Sequence, residues 1–222
     1  VVVGDYDEWL ALQYLTTIWD AQPSVYPRPF CHPDLPGPTL SSSKGATAVY
    51  LTRRAAAAAP TCLADQHRYA AGATLIRAQT VPNTQIPASA RPATLDFGFP
   101  LTLVGFEVQA VPGGGSRPEL RWRLSLYWRA NAAIDVDYII SVRPLRAGAL
   151  VPGDDGRPII QDHQPVWNTY PTSRWSPGEV VRDDYVLSLP GQIFPDGVQI
   201  VVYGAIAGGF ENLGEATLIL QP

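Results

Sequence analysis

Hydrophobic and polar residues alternate along the C-terminal two thirds of the chain, as in β-strands with one buried face. In "LRWRLSLYW", residues 120–128, every second residue is apolar and large, and arginine, serine and tyrosine lie between them. Because side chains on a strand point alternately to opposite faces, this pattern predicts one buried face. The residues of that face are Leu120, Trp122, Leu124, Leu126 and Trp128. Residues 135–142, "DVDYIISV", alternate in the same way and place Val136, Tyr138, Ile140 and Val142 together.

Further strand-like runs follow towards the C-terminus. Residues 198–207, "VQIVVYGAIA", are apolar on both faces and predict a central strand. With the runs at 101–109, 179–189 and 215–220, the pattern gives about seven or eight strands, the number typical of a two-sheet sandwich. The predicted fold is therefore mainly β, an antiparallel β-sandwich of jelly-roll or immunoglobulin-like type.

The first 80 residues have a different pattern. After the apolar residues 1–3, apolar positions recur at helical spacing between Trp9 and Trp19, and Asp5 or Asp7 can cap that helix. Strand patterns at 46–51 and 72–78 flank a helix pattern at 52–59. Strand–helix–strand alternation predicts a small α/β unit with a partly parallel sheet in front of the sandwich.

A proline-rich stretch separates the two patterns. Residues 80–94, "TVPNTQIPASARPAT", contain prolines and small polar residues without periodicity. The predicted organisation is an α/β unit at 1–80, a linker at 81–92 and a sandwich domain at 93–222.

Composition narrows the class of protein. The chain has 222 residues and is 46% hydrophobic, which is enough for a buried core. Its net charge is −4, and its arginines are scattered, so no clustered basic face for nucleic acid is predicted. The chain contains no methionine, and so no start residue, and we therefore expect a fragment or a processed product. It also lacks the stretch of about 18 apolar residues that a membrane span needs, and no signal peptide is visible.

The cysteines are Cys31 and Cys62, without the CxxC spacing of zinc sites. Two alternatives stay open: a disulfide in an oxidising compartment, or two buried thiols.

Few residues suggest catalysis or metal binding. His163 beside Asp162 could form half of an acid–base pair, although neighbours on an extended chain point to opposite sides. Loop carboxylates at Asp154, Asp155 and Asp162 are weak calcium candidates, because they lack EF-hand spacing and "PGDDGRP" also reads as a plain turn. No metal site, cofactor or catalytic residue is therefore assigned.

Three aromatic residues are the candidates for carbohydrate binding. Trp167, Tyr170 and Trp175 could stack on sugar rings, or they could bury their large surfaces in the sandwich. Trp175 precedes the Pro177–Gly178 turn and suits a core position, whereas Trp167 lies in a polar segment and could be exposed.

The run "QDHQPVWNTYPTSRWSPGEVVRDDYVLSLP", residues 161–190, resembles the soluble C-terminal region of bacterial multi-pass membrane glycosyltransferases of the protein-mannosyltransferase-like family. The matching positions are Gln161, Asp162, Pro165, Pro171, Thr172, Trp175, Pro177, Gly178, Glu179, Asp183 and Tyr185. "LSLYWRA", "DYIISVRPL", "GDYDEWLALQYL" and "AVYLTRR" resemble neighbouring parts of the same region. The family's catalytic aspartate belongs to its membrane part, so the resemblance implies no catalytic residue in this chain.

The resemblance implies a non-catalytic extracytoplasmic accessory region of a membrane glycosyltransferase, with glycan or a polypeptide acceptor as the partner. A free-standing glycoside hydrolase using two loop carboxylates and a purely structural interaction module are the alternatives. The sequence also leaves open whether Asp183 faces the core with Tyr185, which it does in a regular strand, or points outward at a bulge.

Overall fold

The computed structural model describes residues 2–4, 28–29, 49–58, 65–72, 74–112, 120–190, 194–206 and 209–220. The chain divides into two compact units, Val1–Pro82 and Asn83–Pro222. The predicted role of residues 81–92 as a linker stays a prediction.

The first unit contains a mixed sheet and one described helix. Its elements are β1 (Val2–Gly4), β2 (Arg28–Pro29), β3 (Val49–Thr52), α1 (Arg53–Ala58), β4 (His67–Ala70) and β5 (Leu75–Gln79). The strand order is β2-β1-β3-β5-β4, with β1 parallel to both neighbours and β5 antiparallel to both of its own. The strands and helix predicted between 46 and 78 are thus confirmed. The helix predicted near Trp9–Trp19 and the cysteines Cys31 and Cys62 lie outside the described residues.

The second unit consists of two antiparallel sheets. Its strands are β6 (Arg91–Asp96), β7 (Leu101–Pro112), β8 (Leu120–Ala130), β9 (Tyr138–Arg146), β10 (Ala149–Leu150), β11 (Gln161–His163), β12 (Val180–Ser188), β13 (Gly197–Ile206) and β14 (Gly209–Ile219). One sheet has the order β12-β8-β7-β6, and the other has the order β10-β9-β13-β14 with β11 also paired to β9. The predicted mainly β, antiparallel sandwich behind a small α/β unit is confirmed.

Apolar side chains from both sheets form the core of the sandwich. The first sheet contributes Leu124, Leu126 and Trp128 from β8, all 1% exposed or less, as the alternation predicted. The second sheet contributes buried residues from β9 and the central strand β13, namely Tyr138, Ile140, Val142, Val198, Ile200 and Val202. Val136 was predicted to join this face but is 41% exposed, because β9 begins only at Tyr138.

The proline-rich stretch after Pro82 packs on the outer face of the sandwich sheet β12-β8-β7-β6. Ile86 and Ala90 pack against Tyr127 and Val180. The backbone N–H of Val180 donates to the carbonyl of Asn83 at 2.6 Å. Tyr127 and Val180 are accordingly buried, although they lie on the outer face of their sheet.

Candidate functional site

The stretch before β12 folds into a corner built around Trp175. Its indole is 3% exposed, stacks with the Tyr170 ring at 6.3 Å and donates from Nε1 to the carbonyl of Tyr170 at 3.1 Å. Gly178 adopts φ 82°, a conformation that favours glycine, and its N–H donates to the carbonyl of Ala130 at 2.7 Å. This hydrogen bond joins the turn to the end of β8. The burial of Trp175 confirms that its side chain occupies a core position.

A buried carboxylate holds this corner together. Glu179 is completely buried and accepts hydrogen bonds from the Tyr170 hydroxyl at 3.1 and 3.2 Å and from the Ser176 N–H at 2.9 Å. Buried charges are found where hydrogen bonds compensate for lost water. In the sequence Glu179 is only one of the positions that carry the family resemblance, and the contact with Tyr170, nine residues away, identifies its structural role.

A left-handed turn precedes the corner. Val166, Trp167 and Asn168 have φ of 55°, 52° and 63°, a region that costs non-glycine residues roughly 1–2 kcal/mol each. The side chain of Asn168 accepts the Gln164 N–H at 2.8 Å, and the Thr169 hydroxyl donates to the Val166 carbonyl at 2.6 Å. These bonds hold a conformation that turns Val166 and Trp167 inward.

Asp183 anchors the same turn from β12. Its Oδ1 accepts the Val166 N–H at 2.9 Å. The strand pairs regularly with β8, so Asp183 faces inward with Tyr185, and both are completely buried. Its Oδ2 has no hydrogen-bond partner and lies 3.8 Å from Nδ1 of His163, whose ring stacks on Tyr185 at 4.4 Å. The question left open by the sequence is thus decided: the strand is not bulged there.

Burial raises the pKa of Asp183 from 3.8 to about 6, although His163 and the Val166 N–H favour the charged form. Between these pH values the folded protein keeps a proton that the unfolded chain has released. The contribution of Asp183 to the free energy of unfolding is therefore fully present below about pH 4. It decreases by about 3 kcal/mol in total as the pH rises to 6. Asp183→Asn should lack this decline, so its unfolding free energy should rise relative to that of the wild type by about 3 kcal/mol between pH 4 and 7, as measured by urea titration.

Asp155→Asn, on an exposed turn, is the matched control and should keep the wild-type pH dependence. An Asp183→Asn curve parallel to the wild type over this range would contradict the raised pKa of Asp183.

The opposite face of β12 carries a second buried carboxylate. Asp184 is completely buried and accepts from Nε and Nη2 of Arg182 at 2.9 and 3.1 Å. Arg182 also donates to the Ser125 hydroxyl on β8 at 3.1 Å. The paired aspartates of the sequence therefore have separate structural partners on the two faces of one strand.

The three aromatic candidates for sugar binding lie in the interior. Tyr170 is 1% exposed and Trp175 3%. The sequence left open whether Trp167 is exposed; it is 9% exposed because the left-handed turn directs it inward. Stacking on a sugar requires an uncovered ring face, so their assignment to glycan binding stays a prediction that this conformation does not favour.

The predicted polar candidates do not converge. Asp154 and Asp155 lie on an exposed turn, where Oδ1 of Asp155 accepts the Arg157 N–H at 3.0 Å. Asp162 is exposed on β11, while His163 on the same strand turns towards Asp183. Within the described part of the chain, no three His, Cys, Asp or Glu side chains are grouped to hold a metal ion.

Sequence reasoning missed a polar network on the outer face of the second sheet. Arg143 on β9 donates to Ser141, Gln199 and Tyr203, and the last two lie on β13. The available signal was Ser141 and Arg143 two residues apart on β9, with Gln199 and Tyr203 on one face of β13, but β13 was interpreted as apolar on both faces.

No helix of the described residues is long and apolar enough to cross a membrane. Comparisons with protein-family models, with curated proteins and with solved structures find no match to this chain.

Proposed function

We propose that this chain is a non-catalytic accessory region of a membrane-embedded glycosyltransferase on the extracytoplasmic face of a bacterial membrane. There it binds glycan or a polypeptide acceptor. The proposal combines the resemblance of residues 161–190 to such regions with one observation: the polar side chains of this stretch hold the fold.

The observation concerns the three carboxylates of that stretch. Glu179, Asp183 and Asp184 have no exposed surface. Glu179 holds the Trp175 corner, Asp183 the left-handed turn and Asp184 the Arg182 guanidinium. The structural roles of these three residues account for the motif without a catalytic function, so the motif identifies a type of sandwich.

The glycoside-hydrolase alternative is less well supported. Such enzymes need two carboxyl groups about 5–9.5 Å apart on either side of an open cleft. Glu179, Asp183 and Asp184 have no solvent contact, so these three cannot protonate a leaving group or activate water on a substrate. The purely structural module differs from the accessory region only in binding no glycan or acceptor, which is an experimental distinction.

The purified chain should not hydrolyse a panel of chromogenic α- and β-glycosides, and it should bind at least one glycan on an array.

The coding sequence upstream of Val1, in the same frame, should contain apolar segments of about 18 or more residues, long enough to span a bilayer.

Hydrolysis that remains after rigorous purification would contradict the non-catalytic role. A complete reading frame without apolar segments would contradict the membrane context. Binding of neither glycan nor acceptor peptide would leave the structural module as the better description.

A further inference from the structure

The outer face of the sheet β10-β9-β13-β14 carries an ordered set of polar side chains. In one row across the sheet, Asp162 pairs with Ser141, Ser141 with Val201, and Val201 with Glu215. In the next row, Arg143 pairs with Gln199. Tyr203 lies on β13 two residues after Val201 and therefore on the same face. We call this surface, defined by Ser141, Arg143, Gln199 and Tyr203, the Arg143 face.

Arg143 is held in one orientation at the centre of this face. Its Nε donates to the Ser141 hydroxyl at 3.0 Å, Nη1 to Oε1 of Gln199 at 3.4 Å, and Nη2 to the Tyr203 hydroxyl. Gln199 and Tyr203 flank Val201, so the guanidinium lies over Val201. Val201 is only 1% exposed and Ser141 is completely buried on this face.

The guanidinium keeps unused binding capacity. It has five N–H donors, and its three hydrogen bonds leave two. No carboxylate in the described ranges forms an ion pair with it. A partly exposed arginine that is already oriented loses little conformational entropy on binding a ligand.

We propose that the Arg143 face binds an uncharged oligosaccharide. Sugar hydroxyls both donate and accept: the remaining N–H groups of Arg143 can donate to them, and the exposed carboxylates of Asp162 and Glu215 can accept from them. The half-buried ring of Tyr203 offers apolar surface beside these groups.

The charges of the face favour a neutral ligand. One cation, Arg143, lies among two exposed carboxylates, Asp162 and Glu215, so a polyanion would meet net repulsion. The polar side chains at its centre are poorly suited to an apolar peptide, which would leave them buried without partners. This inference rests on the proposed function and gives its ligand a chemical class and a location.

The test uses biotinylated neutral hexasaccharides of mannose, glucose and galactose, immobilised and titrated with the whole chain. Arg143→Met keeps the stem over Val201 and removes the donors, and it should weaken binding at least about tenfold. Tyr203→Phe, which removes one of the contacts orienting Arg143, should weaken binding less. Gln199→Ala gives a further variant if Arg143→Met does not fold.

Arg123→Met is the matched control. Arg123 is also a half-buried strand arginine bonded to a glutamine, Gln109, but it lies on the outer face of the other sheet. Its variant should bind within about twofold of the wild type, and melting temperatures should show that all the variants compared are folded.

Binding that persists unchanged in folded Arg143→Met, or is lost equally in Arg123→Met, would overturn the inference and leave the proposed function intact. Wild-type binding only to anionic glycans or to acceptor peptides would likewise contradict the neutral ligand but not the proposed function. Binding to no glycan and no peptide would count against both.

Discussion

Replacing Trp175 by alanine should lower the free energy of unfolding by about 3–5 kcal/mol, the range for large aromatic residues removed from a core. The indole is 3% exposed, and its Nε1 donates to the carbonyl of Tyr170, so the substitution leaves a cavity and removes this hydrogen bond. Tyr170 in turn donates to Glu179, and loosening its ring would weaken the bonds of that buried carboxylate. A loss of this size is comparable to the whole stability of many domains.

Chemical denaturation monitored by circular dichroism measures this loss, and Trp175→Phe separates the cavity from the lost hydrogen bond. Phe210→Ala is the control for removal of an aromatic ring, since Phe210 is 63% exposed and should change stability by less than about 0.5 kcal/mol. A Trp175→Ala variant as stable as Phe210→Ala would show that the corner does not depend on the indole.

Arg182→Ala should destabilise the protein by about 3–5 kcal/mol, because it removes the charged partner of a buried carboxylate. Asp184 is completely buried and loses two N–H donors, and the Ser125 hydroxyl loses its contact with the same guanidinium. The attraction between the two charges matters less here than the cost of keeping the remaining carboxylate away from water.

Two controls separate this explanation from a general effect of losing an arginine. Arg157 lies 3.9 Å from Asp155 with both side chains exposed, so Arg157→Ala should cost less than about 1 kcal/mol. The double variant Arg182→Met with Asp184→Leu removes both charges and should recover most of the stability lost in Arg182→Ala. Equal losses in the single and double variants would mean that packing, and not the loss of the Arg182 charge beside Asp184, dominates.

The strands of the sandwich could be predicted from local pattern. Leu124, Leu126 and Trp128 face the core because alternate side chains of a strand share a face, whatever the strand pairs with. The turn at Pro177–Gly178 and the core position of Trp175 followed from similarly local signals. The α/β character of the first unit was equally visible in the strand and helix patterns around α1.

The burial and the hydrogen-bond partners of the polar residues could not be predicted from local pattern. Asp183 and Asp184 are neighbours with the same chemistry, yet one holds the Val166 N–H and the other holds Arg182. The left-handed turn that buries Trp167 depends on Asp183, sixteen residues later, and no local propensity favours such a turn in "PVWN". Composition alone made this segment look like an exposed loop.

The sequence by itself determined that runs such as residues 120–128 become strands with one apolar face, and that a mainly β sandwich follows a small α/β unit. The tertiary structure alone decided which carboxylates are buried, what each one bonds, and that Arg143 meets Tyr203, sixty residues away. The physical reason is range: strand periodicity is a property of consecutive residues, whereas the burial of a polar group depends on strand register and on partners distant in the sequence.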